Sequence, residues 1–181
     1  MSQQPLLTVW HGWCYRHVPA GSPFGPLETR FAALSATNRW NENGEPTLYF
    51  ASDPGIVVAE FARHMQVDVN PPTRSLFDSR RLFTVEMAFE RVLDLRSTNI
   101  LDRFGLDQDS HIFLDREIAR SIARYARNGL HAEALLAPSV AFLDDKRRFV
   151  LVVFLEQLSG ILDDYVRSIK DLGTLTITHD G

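Results

Sequence analysis

Seven consecutive apolar residues, FVLVVFL at positions 149–155, constrain this chain more than any other stretch. The run is far shorter than the ~20 residues needed to cross a bilayer. It is also too continuous for an amphipathic element, so it reads as a strand buried in a sheet. EALLA at 133–137 reads the same way. Between residues 82 and 89, Phe83, Val85, Met87 and Phe89 alternate with Thr84, Glu86 and Ala88, the period of a half-buried strand, and 92–95 extends the sheet. Further strands are expected at 7–13, 47–51 and in the terminal TLTIT. The clearest helix covers 115–128, with Ile118, Ile122 and Tyr125 on one face and Gly129 as its C′ residue. A second helix starts at Pro54, capped by either Asp53 or Ser52, and a short one is expected over 27–35. Strands and helices do not alternate regularly, which predicts an α+β domain rather than a doubly wound sheet.

With 181 residues the chain is expected to form one domain spanning 1–181. A net charge of −4 argues against nucleic acid as the main partner, because phosphate-backbone binders carry a pronounced basic excess. Cys14 is the sole cysteine, which excludes an intrachain disulfide and favours a reducing compartment. The first residues, MSQQPLLTVWHGW, lack the basic and apolar regions of a leader, so a cytoplasmic protein is expected, with no membrane partner. The six histidines are scattered without ligand spacing, and no metal site is expected. The segments 19–26 and 68–73 read as surface loops.

NRWNENGEPTLYFASDPGIVVAEF at 38–61 carries the most chemistry. Arg39 precedes a turn at Asn43-Gly44 and leads into the Tyr49 strand; its planar fork suits a pyrophosphate, or else it pairs with Glu42 or Glu45 on the surface. Tyr49 and Phe50 point to opposite faces, leaving one of them able to stack on a ligand ring. Glu60 lies within the apolar sector of its helix, between Ile56 and Val57, where a carboxylate needs a partner. It either pairs with His64 one turn on, at the rim of the helix, or carries the cost of desolvation. Arg116, Arg120, Arg124 and Arg127 form a stripe opposite Ile118 and Ile122, either a solvated face or a dock for an acidic partner.

Read in order, RWNENG, TLYFASDP, AEF and the downstream APSVA resemble the RES family of bacterial toxins, named for an arginine, a glutamate and a serine. The resemblance covers most of the chain, roughly Val9 to Phe154. It implies an ADP-ribosyltransferase-like α+β fold, with a mixed or antiparallel β core flanked by helices. It also implies consumption of NAD as substrate with no separate cofactor, and an antitoxin partner of helix-turn-helix type. Carried over by position, Arg39, Glu60 and Ser139 become the catalytic trio and Tyr49 the aromatic against the nicotinamide. Ser52 joins the substrate-binding set. VWHGW is similar to the Trp-His-Gly of poly-ADP-ribose polymerases, so the first-strand ligand is either His11, on the adenosine-side ribose, or Arg16. Departures from the family pattern are Thr37-Asn38 where glycines are frequent before the arginine, and the missing asparagine at the start of the late apolar strand.

Breaking the nicotinamide–ribose bond develops positive charge on the ribose. The resemblance therefore implies Glu60 at that charge, Arg39 on the pyrophosphate, Tyr49 on the departing ring and Ser139 bonded to nicotinamide or ribose. The acceptor is water (a glycohydrolase), phosphate (a phosphorylase) or a protein (a mono-ADP-ribosyltransferase). A non-catalytic module that binds ADP-ribose or NAD is the rival outside enzymology. APSVA lacks the Gly-x-Ser-x-Gly elbow of a serine hydrolase.

Overall fold

The apolar run at 149–155 sits where it has neighbours on both sides. The structure is a computed structural model that describes residues 5–35, 37–68, 77–106 and 109–178, with the side chains of 63–68, 77–78 and 177–178 outside the description. In it β5 (Phe149–Phe154) pairs antiparallel with both β2 (Thr47–Ala51) and β4 (Ala134–Pro138). β4 lies parallel to the end of β3 (Phe77–Asp94), and β3 pairs antiparallel with β1 (Leu7–Pro19) over almost its whole length. A single bridge, Tyr15 to Ala51, joins β1 to β2, so five strands close into a mixed barrel. β6 (Val166–Thr178) adds to the other edge of β3. Among the described residues three α-helices flank this core: α1 (Pro54–Asp68), α2 (Thr98–Arg103) and α3 (Arg116–Asn128).

Alternation along β4 and β5 divides the core. Leu135, Ala137, Val152 and Phe154 face α2 and α3, joining Leu101, Phe113, Ile122 and Ala126. Ala134, Leu136, Leu151 and Val153 face the barrel interior with Cys14, Phe50, Val85, Met87 and Phe89. A two-sided apolar strand is what such a position demands. A smaller cluster of Ala51, Ile56, Val57 and Leu82 seats α1 on the outside. On β1, Trp10, Gly12 and Cys14 share the inner face. A Cβ at Gly12 would lie 2.9 Å from the Trp10 ring, so the glycine lets that indole lie flat along the strand.

The segment 27–35, expected as a helix, forms a series of turns instead. Its carbonyls are engaged elsewhere: Thr47 N–H donates to Ala32 O at 3.3 Å and Gly44 N–H to Ala33 O at 2.9 Å, which ties the segment to the entry of β2. Gly129 caps α3 in a right-handed conformation (φ −93°), and the left-handed residue is His131 (φ 52°). β1 runs on to Pro19, β3 takes in both expected strand segments, and β6 begins well before TLTIT. The loop expected at 68–73 lies, beyond Asp68, outside the described residues.

Candidate active site in the split between two strands

Because β1 and β2 share one bridge while each pairs fully with another strand, they part beyond it. The gap is a cleft of about 710 Å³, within the usual range for small-molecule sites. Arg16 and His17 line it from β1, Tyr49 and Phe50 from β2, Val57 and Glu60 from α1, and Thr37 to Trp40 from the loop before β2.

Glu60 is delivered by a helix start with a clear local cause. Asp53 Oδ1 accepts from Ile56 N–H at 3.1 Å, capping a helix whose first residue is Pro54. Ile56 and Val57 then anchor α1 in the core, and Glu60, three and four residues on, follows them into the same sector. Its partner comes from outside the helix. Ser139, fully buried just beyond β4, donates its hydroxyl to Glu60 Oε1 at 2.6 Å. That length is typical of an O–H donating to a carboxylate. Ser139 is itself fixed, with its N–H on Arg148 O at 2.9 Å and its Oγ accepting from Ala141 N–H at 3.2 Å. The alternative partner, His64, has its side chain outside the described residues.

Arg39 Nη1 donates to the carbonyls of Phe113 and Leu114 at 2.7 and 2.8 Å, so the short 3₁₀ helix before α3 orients the guanidinium at the cleft wall. Tyr49 O–H donates to Asn41 Oδ1 at 2.6 Å and accepts from Trp40 N–H at 3.3 Å. Burial raises the phenol above its ordinary range, which keeps it neutral, and its ring lines the cleft. The same loop is held from behind by the α3 arginines. Arg120 Nη2 donates to Asn38 O at 2.8 Å, Arg124 pairs with Glu42, and Arg127, 1% exposed, pairs with Glu156, bonds to Thr47 and stacks over Phe154. The stripe expected as a solvated or docking face is therefore packed at Arg120 and Arg127 against residues 38–47 and Glu156, while Arg124 pairs with Glu42 and stays exposed. Arg116, at its N-terminal end, lines the cleft.

Strand alternation separates the first-strand candidates. His11 projects from the outer face of β1, exposed and 2.9 Å from Glu86 on β3, and does not line the cleft. Arg16 lies on the inner face, donating to Pro26 O at 2.9 Å and facing the Phe50 ring at 5.6 Å. Desolvation lowers its pKa to about 10, against the pull of Glu28. Ser52 is not in the cleft lining; its hydroxyl accepts from Phe149 N–H at 3.1 Å and fastens the end of β2 to β5.

Sequence reasoning missed His17 and Arg80. His17 lines the cleft together with Arg80, edge-on to Phe61 at 4.9 Å, with its Nδ1 buried and unbonded. Burial, then Arg80 and Arg16, push its pKa down to about 4. The arginine–histidine adjacency in the strand was the available signal, but alternation sends such neighbours to opposite faces, and only a strand edge opening onto a cleft lets both line it. Among the described residues no group of three His, Cys, Asp or Glu is placed to hold a metal ion, and no helix is long and apolar enough to cross a membrane.

Similarity to known proteins agrees with this architecture. The chain superposes with a TM-score of 0.67 on a chain in the crystal structure of the M. tuberculosis MbcT-MbcA toxin-antitoxin complex, at 24% identity over 92% of this chain and 87% of that one. At that identity the likeness is one of fold. No curated protein sequence matches the chain. Residues 14–167 match the RES domain, a span that holds Arg39, Glu60 and Ser139 together with the cleft they surround. The chain belongs to the RES domain family.

Proposed function

We propose that this protein is a toxin that consumes NAD by cleaving its nicotinamide–ribose bond, passing the ADP-ribosyl group to water or phosphate, and that a cognate antitoxin with a helix-turn-helix part neutralises it. The observation that carries the reading is the Glu60–Ser139 hydrogen bond at the cleft: a carboxylate held in a fixed orientation by a buried hydroxyl. Membership of the RES family and the fold shared with a chain from a toxin-antitoxin complex support the toxin assignment.

In this reading the bonding pair of the glycosidic bond leaves with the nicotinamide nitrogen, which departs neutral, and the ribose carbon becomes cationic. The Glu60 carboxylate, pre-oriented by Ser139, stabilises that cation. Arg39 and Arg16 bind the pyrophosphate, whose negative charge the cleft arginines favour. The neutral Tyr49 ring packs on the nicotinamide. Water then adds to the ribose carbon and loses a proton to solvent, or phosphate adds in its place. His11 and Ser52 are given no role in this reading, since neither is among the residues that line the cleft.

Product analysis tests the acceptor. Purified protein with NAD is expected to yield nicotinamide and ADP-ribose in phosphate-free buffer. Phosphorylated ADP-ribose appearing on addition of phosphate identifies a phosphorylase. ADP-ribose attached to protein in a lysate, with no free product, would contradict the proposal and assign a transferase.

A further inference from the structure

Phe31 is 59% exposed and still lines the cleft. An exposed aromatic ring that lines a ligand-sized cavity is placed to meet what enters it. It has backing. Phe24 tilts against it with centroids 6.0 Å apart, and the Arg30 guanidinium covers Phe24 at 4.0 Å. Arg30 is held in turn by a two-pronged bond to Glu28, at 2.9 and 2.8 Å. The loop is not hanging free either. Ala32 and Ala33 carbonyls bind the entry to β2, and Arg16 donates to Pro26 O from β1.

The sheet faces place these rings relative to Glu60. Leu27 and Ala32 of the loop pack into the barrel-interior cluster with Cys14 and Phe50. α1, which carries Glu60, packs on the outer face with Ala51 and Leu82. The cleft takes its lining from both faces at the β1–β2 split, Arg16 and Phe50 from the inner face and His17 and Tyr49 from the outer, so an extended ligand can run from the loop to Glu60.

We infer that Phe31, backed by Phe24 and Arg30, is the platform on which the adenine base of the dinucleotide stacks. This rests on the NAD reading above. With nicotinamide at Glu60 and the phosphates on the arginines between, the second base extends toward the loop. A flat apolar face recognises that base without directional bonds, as aromatic side chains do in other nucleotide sites.

Steady-state kinetics with NAD, and calorimetry with AMP as the probe, test this. Phe31→Ala raises KM for NAD and Kd for AMP by about 5- to 100-fold, the effect of losing one base–aromatic stack, while kcat is kept. Phe31→Trp restores both. Leu34→Ala, on the same loop and 68% exposed but outside the cleft lining, moves neither. Should Phe31→Ala not fold, as judged by circular dichroism, Phe31→Leu keeps the apolar bulk without the π face and carries the same expectation. AMP affinity unchanged in these variants, or no AMP binding by the wild type, overturns the platform. A wild type that binds AMP through Phe31 but releases no nicotinamide upholds the platform and overturns the cleavage reading instead.

Discussion

A hydroxyl with no solvent access has to donate to something, and Ser139 donates to the one carboxylate in the cleft that α1 supplies. The bond fixes the direction of the carboxylate, which is what stabilising a charge that appears at one place requires. Ser139→Ala is expected to lower kcat by about 10- to 100-fold, the worth of one hydrogen bond to a charged group, with KM for NAD little changed. A change confined to KM would show that Ser139 serves binding alone. His17 makes a different statement. Its pKa of about 4 lies below the ordinary 6.5, so between those values the unfolded chain takes up a proton that the folded chain refuses. Stability then falls as pH drops from about 6.5 toward 4, with no contribution from His17 above that window. Thermal melts across it are expected to show a shallower decline for His17→Gln than for wild type; parallel slopes would remove His17 as the cause.

At the scale of elements, α3 is a clamp. Its apolar face closes the core, and its arginines hold the loop that presents Arg39. Their positions along it differ in consequence. Arg127→Ala removes a buried side chain that bonds Thr47 and covers the Phe154 ring as well as its pair with Glu156, and urea denaturation is expected to show a loss of about 2–5 kcal/mol. Arg124→Ala removes an exposed pair with Glu42 and is expected to cost about 1 kcal/mol or less. Equal losses would contradict the clamp as described. The helix itself was legible from its period, down to Asp115, whose side chain accepts from Glu117 and Ile118 N–H groups at 2.8 and 3.2 Å. What its polar face meets was not, since the partners lie about eighty residues away in the chain and periodicity gives a face without its neighbour. The segment 27–35 failed as a helix for a related reason: its carbonyls serve β2, a tertiary demand that no local pattern shows. β6 was seen only at its end because an exposed edge strand pairs on one side and does not need apolar alternation.

Across the whole molecule, a barrel that closes through one bridge between β1 and β2 turns a weakness of the sheet into a cleft. The apolar run at 149–155 announced the two-sided core, and the motif order announced which residues meet. Arg39, Tyr49 and Glu60 do line one cleft and Ser139 reaches it through Glu60, while the choice between His11 and Arg16 needed the strand's phase. Charge is also distributed unevenly. The chain carries a net −4, yet Arg16, Arg39, Arg80 and Arg116 all line the cleft. Such a field favours an anionic ligand. KM for NAD is expected to rise several-fold on going to about 1 M salt, where the Debye length is roughly 3 Å, with kcat held; a KM indifferent to salt would deny the arginines that role. The central claim is that Glu60 stabilises the charge developed as nicotinamide leaves, and the rate of nicotinamide release from NAD by wild type and by Glu60→Gln tests it most directly. Release by the wild type, lost by about a hundredfold or more in the equally well folded Glu60→Gln, is the predicted result. Equal release by both proteins would contradict it.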